Sequence, residues 1–413
     1  MFDSRMATPA DAAVEPPSAG FPLPEGRRRP PFERIALALQ GGGALGAYQG
    51  GVYQALAEAD LHPDWVAGIS IGAINAAIIA GNPPAARVDK LREFWELVSS
   101  PQMQWPGHSA LVSSGGATDV SPLLNGDLAR SVLNHWSAAS ALWWGATGFF
   151  TPRALSPWLC PDGSMEATSY YDTRQLEQTL QRLIDFDRVN DGPMRLSVGA
   201  VNVRTGDFVY FDSTTHRIGP KHIMASGALP PGFPAVEIDG EHYWDGGLVS
   251  NTPLGWMVDA GPAKDTLVFQ VDLWSARGQF PRSMTRVATR QKEIQYSSRT
   301  RAESKRFKQQ QRFKNQVAQL LAKLPPELAD SPEVERLRGL CERKVGNLIQ
   351  LIYHSKEYEG DSKDYEFSRQ STEDRWRAGY HDTVRTLRHP EVLERPSAPD
   401  GVFIFDVAQH GRE

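Results

Sequence analysis

The chain has 413 residues, of which 40% are hydrophobic and 23% charged, and it carries a net charge of −5. Such a composition describes a globular protein and excludes disordered and fibrous chains. The mild negative charge argues against an overall nucleic-acid binder. Two cysteines, Cys160 and Cys341, make no disulfide framework and no metal site, and they read as buried thiols in a reducing compartment.

Residues 1–31 are rich in Pro, Ala and charge and hold no continuous apolar segment. They read as a disordered leader, not as a signal peptide. The first predicted element is "RIALALQ" (34–40), a short apolar run ending in glycines, which fits a buried parallel strand. "GAYQGGVYQALAEAD" (46–60) reads as a helix with Tyr48, Val52, Ala55 and Leu56 near one face. "WVAGIS" (65–70) is a second buried strand and "IGAINAAIIAGN" (71–82) a second helix, closed by Gly81-Asn82 and Pro83-Pro84. Strand, helix, strand, helix at this spacing predicts a βαβα unit with a parallel sheet. The apolar run around Ser70 falls short of the roughly 20 residues needed to cross a bilayer.

From about residue 95 to 160 the periodicity loosens, and six of the eleven tryptophans fall there: Trp95, Trp105, Trp136, Trp143, Trp144 and Trp158. This stretch reads as an insertion and a candidate lid, with ordinary core packing as the alternative. Regular elements resume with a helix in "YYDTRQLEQTLQRLI" (170–184), strands in "LSVGAVNV" (196–203) and "DFVYFDS" (207–213), and a strand in "DTLVFQVDLW" (265–274). Beyond residue 285 the character changes again. Residues 286–324 are polar and helix-prone, with eleven Lys or Arg against Glu293 and Glu303. "EVERLRGLCERKVGNLIQLIYH" (333–354) reads as further helix.

Two glycine-rich turns follow the first two strands. "GISIG" (68–72) has the G-x-S-x-G form between a strand and a helix, the setting of a nucleophile elbow. Gly68 and Gly72 would relieve the crowding of that turn, and the Ser70 hydroxyl would project at a helix N-terminus, where the dipole favours negative charge. The alternative is a small residue in a tight turn. "GGGALG" (41–46) fits G-x-G-x-x-G. As a dinucleotide fingerprint it would need an acid near the end of the next strand, but Asp60 and Asp64 precede that strand. As an oxyanion hole it needs only backbone N–H groups beside a helix start. Both loops should emerge at one sheet edge, and together they favour acyl transfer over nucleotide binding.

A base is still required. "HYWDGGLVSNTPL" (242–254) offers Asp245 in a loop held by glycines and a proline, though an acid in such a turn is usually a turn former. A Ser-His-Asp arrangement would instead draw on His354, His381, His389 or His410, which follow the acid in chain order.

GGGALG, GISIG and DGG, in this order, resemble the patatin-like phospholipases over about residues 34–275. The resemblance implies an α/β fold of three layers with a mainly parallel central sheet and a C-terminal helical region. It divides the chain into a leader (1–31), a catalytic domain (32–284) with the insertion at 95–160, and a helical extension (285–413). It implies a serine lipid acyl hydrolase, phospholipase A or lysophospholipase-like, working through a Ser–Asp dyad and an acyl-enzyme without metal or cofactor. Carried over, Ser70 is the nucleophile and Asp245 the general base. Gly41, Gly42 and Gly43 form the oxyanion hole, and Gly46, Gly68, Gly72, Gly246 and Gly247 are motif glycines. Many members carry Arg or Lys where this chain has Leu45, which removes a cationic contact to a phosphate head group. Acyl transfer to another acceptor would use the same residues, and a non-enzymatic lipid-associated scaffold would need neither Ser70 nor Asp245. The expected partner is a lipid acyl ester, not nucleic acid. The expected place is the cytoplasm, with peripheral contact to a membrane or lipid inclusion through basic residues 286–324, attractive to anionic head groups by about 1 kcal/mol per cation.

Overall fold

The computed structural model describes residues 29–100, 127–260, 264–325, 328, 331–341, 346–356, 359–360, 362–396 and 401–406. Most of the expected leader, together with Trp105 and His410, lies outside them. The βαβα start forms as expected: β1 (Arg34–Leu39), α1 (Ala47–Glu58), β2 (Trp65–Ile69) and α2 (Ile71–Ala80). After α3 (Arg87–Val98) and α4 (Asp127–Trp144) come α5 (Arg174–Leu183) and α6 (Phe186–Asp191). The strands β3 (Arg195–Asn202) and β4 (Phe208–Asp212) and the helix α7 (Pro220–Ser226) follow. The chain continues through β5 (Val236–Ile238), β6 (Glu241–Asp245), α8 (Leu254–Asp259), β7 (Thr266–Asp272) and α9 (Met284–Leu321). It ends with α10 (Pro332–Leu340), β8 (Gly346–Ile352), α11 (Arg369–Leu387) and β9 (Val402–Asp406).

Nine strands make one mixed, mostly parallel sheet in the order β9-β8-β7-β1-β2-β3-β6-β5, with β4 also on β3. The six strands from β9 to β3 run parallel, and β4, β5 and β6 are antiparallel to their neighbours. Side chains alternate across β1, so Ile35, Leu37 and Leu39 join the larger core while Ala36 and Ala38 face a smaller one with Leu254 and Met257 of α8. Both faces are therefore covered, as parallel strands require.

The C-terminal region holds the expected helices α9, α10 and α11, but it also adds two strands to the sheet. "GNLIQLI", read as part of a helix, is the strand β8, placed between β7 and β9 in parallel register. An apolar run this short cannot be told from a buried helix segment by periodicity, and its partners in β7 are 80 residues away (Gly346 pairs with Thr266). The strand β9, "VFIFD", was not anticipated at all. The helix α11 is bound to α1 by close backbone approach: a Cβ on Gly379 would lie 2.0 Å from the Tyr48 carbonyl oxygen, and one on Gly51 1.8 Å from that of Trp376. The C-terminal region thus shares the sheet and the main core with the first strands.

Candidate active site

Three strand ends bring the sequence motifs together. After β2 the chain turns at Ser70, whose φ of 56° is outside the usual range for a non-glycine residue. Such a conformation costs on the order of 1–3 kcal/mol and persists only where packing enforces it. Here Ser70 is the N-cap of α2, but its side chain caps nothing. Its N–H instead donates to Ser226 Oγ at 3.1 Å, and that hydroxyl donates to the Gly199 carbonyl at 2.6 Å. Ser226, which sequence reasoning passed over, therefore ties the strained turn to β3.

Asp245 is not in a loop but is the last residue of β6. Its position follows from pairing. β4 takes one edge of β3 over Ser197–Val201, so β2 and β6 must share the other. On that edge Ile69 pairs with Gly199 and Asp245 with Ala200, so β6 ends where β2 ends, beside Ser70. Gly246 allows this crowding, since a Cβ there would stand 2.6 Å from the Gly199 carbonyl oxygen. Gly247 N–H donates to Asp245 Oδ1 at 2.7 Å, and Ser70 lines the same cavity as this carboxylate. Burial pushes the Asp245 carboxyl up to about 6, with the nearby Ser70 hydroxyl and the Gly247 N–H opposing the rise.

The glycine loop lies opposite. Gly41 N–H is already engaged with the Asn251 carbonyl at 3.1 Å. Its carbonyl accepts from Asn251 Nδ2 at 3.0 Å and from Trp274 Nε1 at 3.1 Å. Gly42 and Gly43 line the cavity beside it. Gly46 packs against Ile71 and Trp95, Gly68 against Gly72, and Gly72 against the Leu39 carbonyl, each where a Cβ would not fit. Leu45 is fully buried in the main core and does not reach the cavity.

Ser70, Asp245 and Gly41–Gly43 line a cavity of about 290 Å³. Its wall is apolar, with Ile71 and Ile74 from α2, Leu142, Phe149 and Phe150 from the insertion, and Phe233 and Phe367. Among the described residues no histidine, lysine or arginine lines it. His354 bonds the Ile352 carbonyl and His389 pairs with Glu391, both exposed, so neither they nor His381 supplies a triad base. Among the described residues no three His, Cys, Asp or Glu side chains gather as a metal would need.

A family model of the patatin-like phospholipases matches residues 37–256, more than half of the chain. The chain belongs to this family. A second model, described as a patatin phospholipase, matches residues 294–399, so the patatin-like match continues into the C-terminal region. No curated protein matches the chain. Among solved structures, this patatin-like chain is similar to VipD from Legionella pneumophila, at 14% identity and a TM-score of 0.39, over 91% of this chain and 72% of that one. It is similar to the type III effector protein ExoU at 14% identity and a TM-score of 0.30, over 88% of this chain and 54% of that one. With ExoU in the SpcU complex from Pseudomonas aeruginosa the values are 18% and 0.26, over 67% and 51%. The chain spans about half the length of those ExoU chains.

Other expectations fared variously. Trp95 is buried, whereas Trp136, Trp143, Trp144 and Trp158 are exposed, so core packing does not account for those four. Cys341 is buried and Cys160 partly exposed, both free. The basic stretch is not a uniformly solvated face: Arg290 bonds Glu293, and Lys292 pairs with Asp364 at 2.9 Å. Among the described residues no helix is long and apolar enough to cross a membrane. Sequence reasoning missed Asn251 and Asp364, and only for Asn251 was there a signal, its place in the "DGGLVSN" turn.

Proposed function

We propose that the protein is a serine lipid acyl hydrolase, on one observation above others: Ser70 and the buried Asp245 carboxylate lie together on the wall of a largely apolar cavity. Ser70 Oγ attacks the ester carbonyl and its proton passes to Asp245. The N–H groups of Gly42 and Gly43 stabilise the oxyanion. As the tetrahedral intermediate collapses, the C–O bond to the alcohol breaks and the alcohol takes the proton from Asp245. Water then attacks the acyl-enzyme, losing its proton to Asp245, and as the C–O bond to Ser70 breaks Oγ takes that proton back from Asp245 and the fatty acid leaves. A carboxylate at its ordinary pKa of about 3.9 would be a weak base at neutral pH. Burial brings Asp245 closer to the working pH, the match that general base catalysis favours.

With no Lys or Arg on the cavity wall among the described residues, a phosphate head group finds no cation among them, and a charged group of the substrate stays outside. The exposed Trp143, Trp144 and Trp158, on the segment that supplies Leu142 and Phe149 to the cavity, suit contact with a lipid surface. The exposed cations of α9, such as Lys305 and Arg306, suit anionic head groups, with a cytoplasmic protein as the setting. Labelling with a fluorophosphonate, comparing wild type with Ser70→Ala, followed by release from phospholipid, lysophospholipid and neutral glyceride, tests the reading. Labelling that persists in a folded Ser70→Ala protein would overturn it.

A further inference from the structure

One short piece of the chain beyond residue 285, residues 362–375, meets the glycine loop directly. The Asp364 carbonyl accepts the Ala44 N–H at 2.7 Å. The Ala44 carbonyl accepts from Arg375 Nη1 at 3.3 Å, and the same nitrogen donates to the Glu366 carbonyl at 2.9 Å. Both backbone groups of the residue following Gly43 are thus held from the C-terminal region. Gly43 itself has a φ of +55°, and a Cβ there would lie 2.1 Å from the Asp364 carbonyl oxygen. The contact therefore selects glycine by space as well as by backbone conformation.

The holding segment is itself well anchored. The Arg375 guanidinium is fully buried and flanked by two buried carboxylates, Glu359 at 3.2 Å and Glu366 at 3.6 Å. Lys363 Nζ bonds Glu293 of α9 and Ser355 Oγ, and Lys292 of α9 pairs with Asp364. From the same segment Asp364, Tyr365 and Phe367 line the cavity. Buried charges cost desolvation unless tightly paired, so an ion-paired arginine whose remaining bonds go to two backbone carbonyls suits holding a loop in place.

We propose that Arg375 and the Asp364 main chain are positioning elements of the oxyanion hole: the C-terminal region clamps Ala44 and so aims the N–H groups of Gly42 and Gly43. The proposal rests on the hydrolase reading above. It makes the C-terminal region part of the active site, and it predicts that loosening the clamp slows the chemical step while leaving ester binding and the base alone.

The test uses the full chain and a soluble p-nitrophenyl ester, with fluorophosphonate labelling rates alongside. Arg375→Lys keeps the charge between Glu359 and Glu366 but loses the fork that reaches Ala44. Its kcat should fall at least tenfold with KM within about twofold, the phosphonylation rate should fall in parallel, and the pH midpoint should stay where Asp245 sets it. Lys292→Gln, at a residue that does not itself line the cavity but pairs with the Asp364 carboxylate, loosens the anchor from a partly exposed position and should lower kcat about threefold. It also serves if Arg375→Lys does not fold. A folded Arg375→Lys enzyme with unchanged kcat overturns the proposal, as does an unchanged Lys292→Gln enzyme where Arg375→Lys fails to fold. A loss shared equally between kcat and the thermal midpoint, with no slower phosphonylation of the protein that remains folded, overturns it too. A wild type with no Ser70-dependent hydrolysis would instead refute the hydrolase reading itself.

Discussion

Two buried aspartates end strands of the sheet, Asp245 on β6 and Asp272 on β7, and burial raises both. Asp245 is pushed up to about 6 and Asp272 to about 7, where Glu303 and Asp406 add to the rise. Their surroundings differ. Asp245 accepts a backbone N–H and shares the wall of an apolar cavity with Ser70. Asp272 receives Gln270 Nε2 at 2.6 Å, does not line the cavity, and has one oxygen with no hydrogen-bond partner among the described residues. Desolvation alone makes a carboxylate basic; a transferable proton beside an accessible cavity makes it a base. A raised pKa marks a site only in company.

The comparison breaks most sharply in activity. Ser70→Ala and Asp245→Asn should each lower ester turnover by at least about 10³-fold, whereas Asp272→Asn should stay within about twofold. Steady-state rates on a soluble ester, with circular dichroism to confirm folding, check both, and comparable losses at Asp272 would erase the distinction. Next comes pH. Asp245 must be deprotonated to accept the Ser70 proton, so kcat/KM should rise about tenfold per unit below a midpoint of about pH 6 and then level. Asp272→Asn should leave that midpoint in place. A smaller effect is expected at Ser226→Ala, which frees the Ser70 N–H and the Gly199 carbonyl: a loss of about tenfold in kcat with KM little changed.

The smallest effects concern stability, and here the two aspartates should behave alike. Each holds its proton to higher pH in the native state than in the unfolded chain, so each lowers stability as pH rises through its folded pKa. At pH 8 the charged forms are buried at full cost. Asp245→Asn and Asp272→Asn should then each stabilise by roughly 2 kcal/mol, an advantage that shrinks to nothing below about pH 4. Denaturant midpoints at pH 8 and pH 4 decide it. For Asp245 the gain in stability comes with lost activity, and for Asp272 it does not.

What could be read from residue order alone was local. A β1-loop-α1 and β2-turn-α2 unit joins elements adjacent in the chain, so short apolar strands, glycine turns and helix starts are visible in sequence, and Ser70 stands out with them. "VFIFD" and "NLIQLI" were not legible in the same way, because what makes a strand of them is a neighbour distant in the chain. The same holds for the site. Residue order offered Asp245 as an acid in a glycine turn, and the family resemblance singled it out as the base. Its place next to Ser70 is decided by β2 and β6 sharing one edge of β3, and its raised pKa by burial that no local pattern encodes. Likewise nothing near Ala44 announces Asp364 or Arg375, more than 300 residues further on. Local chemistry determined the turns; long-range pairing and desolvation decided which groups those turns face.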